Sequence, residues 1–271
     1  MRTDDLLNLE RDIIQSRLVS AVFARSLKNQ IVLKGGVAMR VLLGSARYTK
    51  DVDFGQNHGQ SLPALQKLIR ASIKECTSGF LDGAVVTEPK QTDTVARWKI
   101  SGVSLRSRSI IHLTVEVSRQ GLPQGHLSQS QFMPEPESFA KPAVVDVYDI
   151  DAMAATKVFA LHSDNRMAPR DLFDLDLIIK TGVHPDPSLF ACINDRKEFV
   201  SQVWRKIDLM SWKMFEEDVV PYMTPTIRSR VDKGVFDDMK IKVGEAVERW
   251  VTTDDDGSGS SSSANKPRMG L

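Results

Sequence analysis

Asp51 and Asp53 stand one residue apart in the run Asp51-Val52-Asp53-Phe54, shortly after a Gly35-Gly36 pair. On a β-strand, side chains alternate between faces, so both carboxylates share one face while Val52 and Phe54 take the other. Carboxylates held side by side repel each other unless a cation sits between them. Hard oxygen donors at this density suit Mg²⁺, which keeps waters and is completed by substrate phosphates. The two glycines follow Ile31-Val32-Leu33-Lys34 and precede a helical stretch. There they would let the backbone and the first helical N–H groups approach a phosphate. A Gly-Gly pair alone marks ordinary turns; its spacing to the paired aspartates is what distinguishes this one. The chemistry implied is metal-assisted and acts on a nucleotide.

The elements that must hold these groups can be laid out from periodicity. Residues 4–28 carry Leu6, Leu9, Ile13, Ile14, Leu18, Val22 and Leu27 at helical spacing. A short strand over Ile31–Leu33 is followed by a helix over Val37–Leu43 that stops near Gly44, then a strand over Tyr48–Phe54. A loop over 55–60 leads to a helix over 62–76, and strands are expected at 83–87, 94–101 and 109–118. In the last of these, His112, Thr114 and Glu116 share a face. Residues 119–143 carry prolines with Gln and Ser and are expected to be an irregular connector before a short strand at 144–147. Helices dominate afterwards, from Asp149 through Lys157, from Pro169 (a residue suited to a first helical turn) and along a terminal stretch with Phe236, Met239, Val243, Val247 and Trp250. The run from Asp254, rich in Gly and Ser, has the composition of a disordered tail.

Composition bounds the rest. A hydrophobic content of 41% is ample for a packed core, and the net charge of +1 excludes a global field for nucleic acid, so any such surface must be local. Cys76 and Cys192 are far apart and lack metal-ligand spacing, which fits a reducing compartment. The N-terminus lacks the apolar core of a signal peptide, and no apolar run reaches the roughly 20 residues of a membrane span. A cytoplasmic enzyme with no membrane partner is expected.

Two blocks carry a family resemblance. The first runs from Leu33-Lys-Gly-Gly-Val-Ala-Met-Arg through Arg47-Tyr-Thr-Lys-Asp-Val-Asp53. The second joins Ala154-Ala-Thr-Lys157 to Arg170-Asp-Leu-Phe-Asp174. In residues and order they resemble the AbiEii/AbiGii-type nucleotidyltransferases, a branch of the polymerase-β-like superfamily that includes toxins of type IV toxin–antitoxin and abortive-infection systems. Val37 stands where that family prefers Thr, and Thr49 where Ser is usual. The resemblance implies an α/β fold: a polymerase-β-like nucleotidyltransferase domain with a mixed sheet over 1–145, a helical C-terminal domain over 146–251 and a tail over 252–271.

It also implies roles. Asp51 and Asp53 become ligands of one or two Mg²⁺. Glu116, charged within an apolar run, is the candidate third ligand and general base, its alternative being an exposed edge-strand residue. Gly35, Gly36, Arg47 and Thr49 are expected near the triphosphate; Lys34 is either another phosphate contact or solvated. Lys157 lies on a helix otherwise apolar or small, so it either reaches a phosphate as a point charge or snorkels to solvent. Asp171 would orient that ammonium, and Arg170 would contact the nucleotide. Asp174, three residues on, shares the helix face of Asp171; helix-end capping and surface pairing are the plainer reading of this segment.

The activity implied is transfer of NMP from an NTP to an acceptor, with the 3′ end of tRNA foremost and growth arrest the consequence. Rival acceptors are a protein or a small molecule, and a non-catalytic nucleotide- or RNA-binding partner is the alternative outside enzymes. A cognate antitoxin is expected from a neighbouring gene, without direct binding being implied.

Overall fold

Two short strands and the helix between them form the centre of the molecule. The computed structural model describes residues 3–163 and 167–252; the tail expected from Asp254 lies outside them. Helix α1 (Thr3–Phe23) leads to β1 (Val32–Lys34), helix α2 (Gly35–Leu43) and β2 (Asp51–Gly55). Helix α3 (Leu62–Thr77) opens on Ser61, whose side chain accepts the Ala64 N–H, a good N-cap. Strands β3 (Leu81–Gln91), β4 (Val95–Ser104), β5 (Ile110–Ser118), β6 (Leu127–Phe132) and β7 (Ala143–Tyr148) follow.

All seven strands make one sheet in the order β3-β4-β5-β2-β1-β7-β6. It is mixed: β2 pairs β5 and β1 pairs β7 in parallel, and the remaining neighbours are antiparallel. The expected α/β fold with a mixed sheet is borne out. Val52, Phe54, Trp98, Ile100, Val115 and Val117 are buried on one face. That face is covered by α1, which packs on α3 and against β5 and β7. The alternate residues, Asp51 and Asp53 among them, project from the other.

A helical region follows. Helix α4 (Ile150–His162) is capped by Asp149, whose carboxylate accepts the Ala152 N–H at 2.8 Å. Helix α5 (Pro169–Ile179) starts on the expected proline. Helices α6 (Arg196–Leu209), α7 (Trp212–Asp218), α8 (Pro225–Arg228) and α9 (Lys233–Thr252) complete the chain, with Phe199, Phe215, Phe236, Met239 and Trp250 buried among them.

Several expectations need correction. The connector over 119–143 contains β6, a polar strand paired only with β7 at the edge of the sheet. An edge strand has no second partner to impose an apolar period, so Leu127-Ser-Gln-Ser-Gln-Phe132 gives no signal. Strand β3 runs well past 83–87 and takes in Pro89, because the register shifts between Thr87 and Lys90. A bulge on an edge strand tolerates the missing N–H. Helix α1 stops at Phe23 instead of 28, before Asn29 at φ +57°.

Tyr48, expected at the start of β2, is bound elsewhere together with residues 46 and 47. The Tyr48 N–H donates to the Tyr222 carbonyl at 2.7 Å, and the Thr224 N–H donates to the Ala46 carbonyl at 2.9 Å. Arg47 and Met223 form an isolated antiparallel bridge. The segment leading into the aspartates is thus tied to the C-terminal third of the chain.

Candidate active site

Register lines up charges across four strands. Lys34 on β1 pairs with Asp53 on β2, Asp53 with Glu116 on β5, and Glu116 with Arg97 on β4. Paired residues project to the same side, so this row alternates in sign across the open face of the sheet. Asp51 lies one row along, opposite Thr114.

The glycines are fitted to that row. Gly35 has φ +69°, and a β-carbon there would collide with Asp53 Oδ2. The position therefore demands glycine twice, for its backbone and for its space. A β-carbon at Gly36 would lie 3.1 Å from Thr49 Cβ. Lys34 occupies the N-cap position of α2 without a capping side-chain bond. The first N–H groups of α2, at Gly35 and Gly36, therefore border a cleft instead of a capping side chain. Thr49 Oγ1 lies 3.3 Å from the backbone N–H of Asp51, which steadies the turn into β2.

Asp51, Asp53, Gly35, Gly36, Arg47, Thr49, Lys157, Arg170 and Asp171 all line one cleft of about 180 Å³, together with Lys34. Helix α4 brings Lys157 over the carboxylates, and α5 brings Arg170 and Asp171. Among the candidate residues, Asp174 lies behind the lining and Glu116 stands outside it. Its carboxylate accepts from Arg97 Nε at 2.8 Å, although its backbone is in register with Asp53. Among the described residues, no three His, Cys, Asp or Glu side chains are grouped closely enough to hold a metal ion.

The donor chemistry nonetheless fits a divalent cation. Burial, then the neighbouring charge of Asp51, pushes the Asp53 carboxyl up to about 6; Glu116 adds to the rise and Lys34 and Lys157 oppose it. Lys34 is lowered by burial, against the pull of Asp53 and Glu116. The protein's own cations therefore leave the Asp53 carboxylate under-compensated.

Behind the cleft lies a buried ionic cluster. Lys157 Nζ donates to Asp171 Oδ1 at 2.9 Å and to Asp174 Oδ2 at 2.6 Å. Arg47 grips Asp174 with Nη2 to Oδ2 at 2.9 Å and Nε to Oδ1 at 3.2 Å. Asp171 and Asp174 are fully buried, and Lys157 and Arg47 nearly so. Burial alone would lower the Lys157 ammonium, but Asp174 and Asp171 outweigh it and hold it above the usual lysine range. Burial would likewise raise Asp174, yet Arg47 and Lys157 keep it below the carboxylate range. Neither surface pairing nor snorkelling describes this arrangement. Arg47 spends its guanidinium on Asp174 and on the Tyr48 carbonyl, so its part in the site is to brace the turn.

Arg170 is more available. Its side chain is 43% exposed, and Nη1 lies 3.9 Å from Asp51 Oδ2.

Sequence reasoning underrated Asp174 and overlooked Arg97 and Tyr222. A signal for the first existed: an aspartate flanked by Phe173 and Leu175, spaced to face Lys157's helix, has to be paired when buried. Nothing in the sequence marks the pairing of Arg97 with Glu116 or of Tyr48 with Tyr222. His58, His112, His126, His162 and His184 contribute nothing to the cleft.

A family model described as nucleotidyl transferase AbiEii toxin, type IV TA system, matches residues 17–248. Among solved structures, the chain is similar to the crystal structure of JHP933 from Helicobacter pylori, with a TM-score of 0.57 and 17% identity. That match covers 93% of this chain and 94% of the other. A second H. pylori crystal structure, of a candidate nucleotidyltransferase, matches with a TM-score of 0.55 and 17% identity, over 93% and 97% of the two chains. Likeness at this identity speaks to the fold alone. No curated protein matches.

Proposed function

The chain belongs to the AbiEii family of nucleotidyl transferase toxins of type IV toxin–antitoxin systems, and from that membership we propose that it transfers NMP from an NTP to the 3′ end of an RNA, tRNA foremost. The family implies transferase activity, a nucleotide substrate and an antitoxin partner. No described helix is long and apolar enough to cross a membrane, and the proposed site of action is the cytoplasm.

Asp51 and Asp53 are the residues assigned to hold Mg²⁺, with Glu116 the third candidate. Bound there, Mg²⁺ would supply Lewis-acid stabilisation of the phosphate charge and of the attacking oxygen. The acceptor hydroxyl forms a bond to the α-phosphorus as the α–β bridging P–O bond breaks and pyrophosphate departs. Glu116 is assigned the hydroxyl proton. The N–H groups of Gly35 and Gly36 and the Arg170 guanidinium are assigned to the phosphates, where fixed donors stabilise charge as it develops. Lys157, already committed to two aspartates, adds field at the cleft wall.

The observation that carries this reading is Asp53: a carboxylate fitted against Gly35, beside Asp51, with its pKa raised. The test is incubation of the protein with radiolabelled NTPs, Mg²⁺, total RNA and lysate protein. Label is expected in small RNA, falling by about 10²-fold or more for Asp53→Asn. Label in a protein band, or an undiminished signal from the variant, would refute the proposal.

A further inference from the structure

Asp51 belongs to two clefts at once. One is the nucleotide cleft; the other, of about 410 Å³, opens on the far side along the sheet and is lined by Lys50, Lys99, His112 and Thr114. Register explains its composition. Asp51 pairs with Thr114, Thr114 with Lys99 and Lys99 with Thr87, so one row leads from the carboxylate to the sheet edge. Lys90 pairs with Arg97 in the next row. The alternate β4 residues Ala96, Trp98 and Ile100 are buried in the core, which fixes Lys99 on the open face. Strand β3 is largely exposed.

Among the described residues, Lys50, Lys90 and Lys99 are exposed and lack the carboxylate partner that some exposed lysines of this chain have. Lys180, Lys213 and Lys233 each pair with a carboxylate one turn away. Among the described residues, no carboxylate pairs with Lys50, Lys90 or Lys99; Lys50 instead lies 4.9 Å over the Tyr222 ring. Lys50 and Lys99, with a row of hydroxyl and imidazole donors, thus border a groove ending at Asp51, and Lys90 lies on the neighbouring row at the sheet edge. An in-line displacement needs the attacking and leaving oxygens on opposite sides of phosphorus. With pyrophosphate on the Gly35–Gly36 side, the acceptor has to arrive from the other.

We propose that the open face of β3–β4–β5 is the track along which the single-stranded 3′ end of the acceptor RNA reaches Asp51, its phosphates held by Lys99, Lys90 and Lys50. The inference rests on the transferase reading and gives it a direction. Charge complementarity selects a polyanion, and Thr87, Thr114 and His112 supply partners for ribose 2′-hydroxyls, which distinguish RNA from DNA.

The experiment measures binding of the full chain to a short, fluorescent single-stranded oligoribonucleotide by anisotropy, without NTP or metal, across a salt series. Neutralising two phosphate contacts on a single strand should reduce the log–log salt slope by about 1.4. The Lys90→Gln/Lys99→Gln double variant is expected to show that change, with a Kd raised about tenfold or more. The Lys180→Gln/Lys233→Gln double variant should match the parent. In the transfer reaction, KM for RNA rises while NTP affinity holds. An unchanged slope and Kd in the Lys90/Lys99 variant, or tighter binding of the matching oligodeoxyribonucleotide, overturns the track. A lowered slope in a protein that transfers no label leaves the track standing and removes the transferase reading. Retained transfer to RNA with an unchanged slope does the reverse.

Discussion

Asp174→Asn is the sharpest test of how the cleft is built. The substitution keeps shape and volume but removes the charge that joins Arg47 to Lys157. Asp174 accepts four hydrogen bonds, three from Arg47 and one from Lys157, at 2.6–3.2 Å. The wild-type cluster balances two cations against two anions; the variant leaves two buried cations sharing Asp171. Removing one partner of a buried pair costs about 3–5 kcal/mol. At roughly 2–4 °C per kcal/mol for a domain of this size, Tm should fall by about 6–20 °C.

The pH profile adds a signature that mere loss of packing lacks. In the wild type the folded-state pKa of Lys157 is raised, since Asp174 and Asp171 outweigh burial. Its contribution is fully present below the unfolded value of about 10.4 and is lost only as pH climbs through the folded one. The group therefore leaves stability flat from pH 7 to 9. In Asp174→Asn, burial and the repulsion of Arg47 dominate, so the folded pKa drops below the unfolded one. The unfolded chain then binds more protons, and stability rises with pH by up to about 1.4 kcal/mol per unit across the interval between the two values. Urea unfolding at pH 7, 8 and 9, followed by circular dichroism, measures both effects. A loss under about 1 kcal/mol, or a variant profile as flat as the parent's, would show that the cluster is not an internal ionic clamp.

Three further outcomes are expected. Gly35→Ala should cost more than about 1 kcal/mol in the same unfolding assay, because it meets both a positive φ and Asp53; label transfer should fall with it. Millimolar Mg²⁺ should raise the wild-type Tm through binding to the native state, by about 2.7 kcal/mol of stability at a hundredfold excess over Kd. Asp53→Asn should show no such rise, and a metal-free baseline above the parent's, since a repelling charge is gone; an equal response to Mg²⁺ in both proteins would place the cation elsewhere. Arg170→Ala should leave stability within about 0.5 kcal/mol, because its pairing with Asp51 is long and exposed, yet raise KM for NTP about tenfold; an unchanged KM removes Arg170 from the nucleotide site.

Much of this site was legible from residue type and spacing because its chemistry is local. Asp51 and Asp53 share a strand, and the glycine pair sits one helix upstream, so period and turn logic bring them together. The distant partners were legible only in part. Lys157 stood out as a cation on an apolar helix, but its destination, Asp174, depends on how α4 and α5 cross. Glu116 was found by its charge in an apolar run, whereas its hold on Arg97 depends on the pairing of β4 with β5. Strand β6 escaped because an edge needs no hydrophobic alternation. The glycines were anticipated for the approach of phosphate; in the fold, their tightest neighbours are Asp53 and Thr49 of the same chain.

The knot at Tyr222–Thr224 carries a consequence for inheritance. Its two backbone hydrogen bonds to residues 46–48 involve main-chain atoms alone, so they persist through almost any change of side chain at either end. A frameshift or stop codon ahead of Tyr222, by contrast, would unfasten the stretch that delivers Asp51, disarming the molecule while leaving every reactive group in place. The region with no chemistry of its own thereby holds a veto over the one that has it.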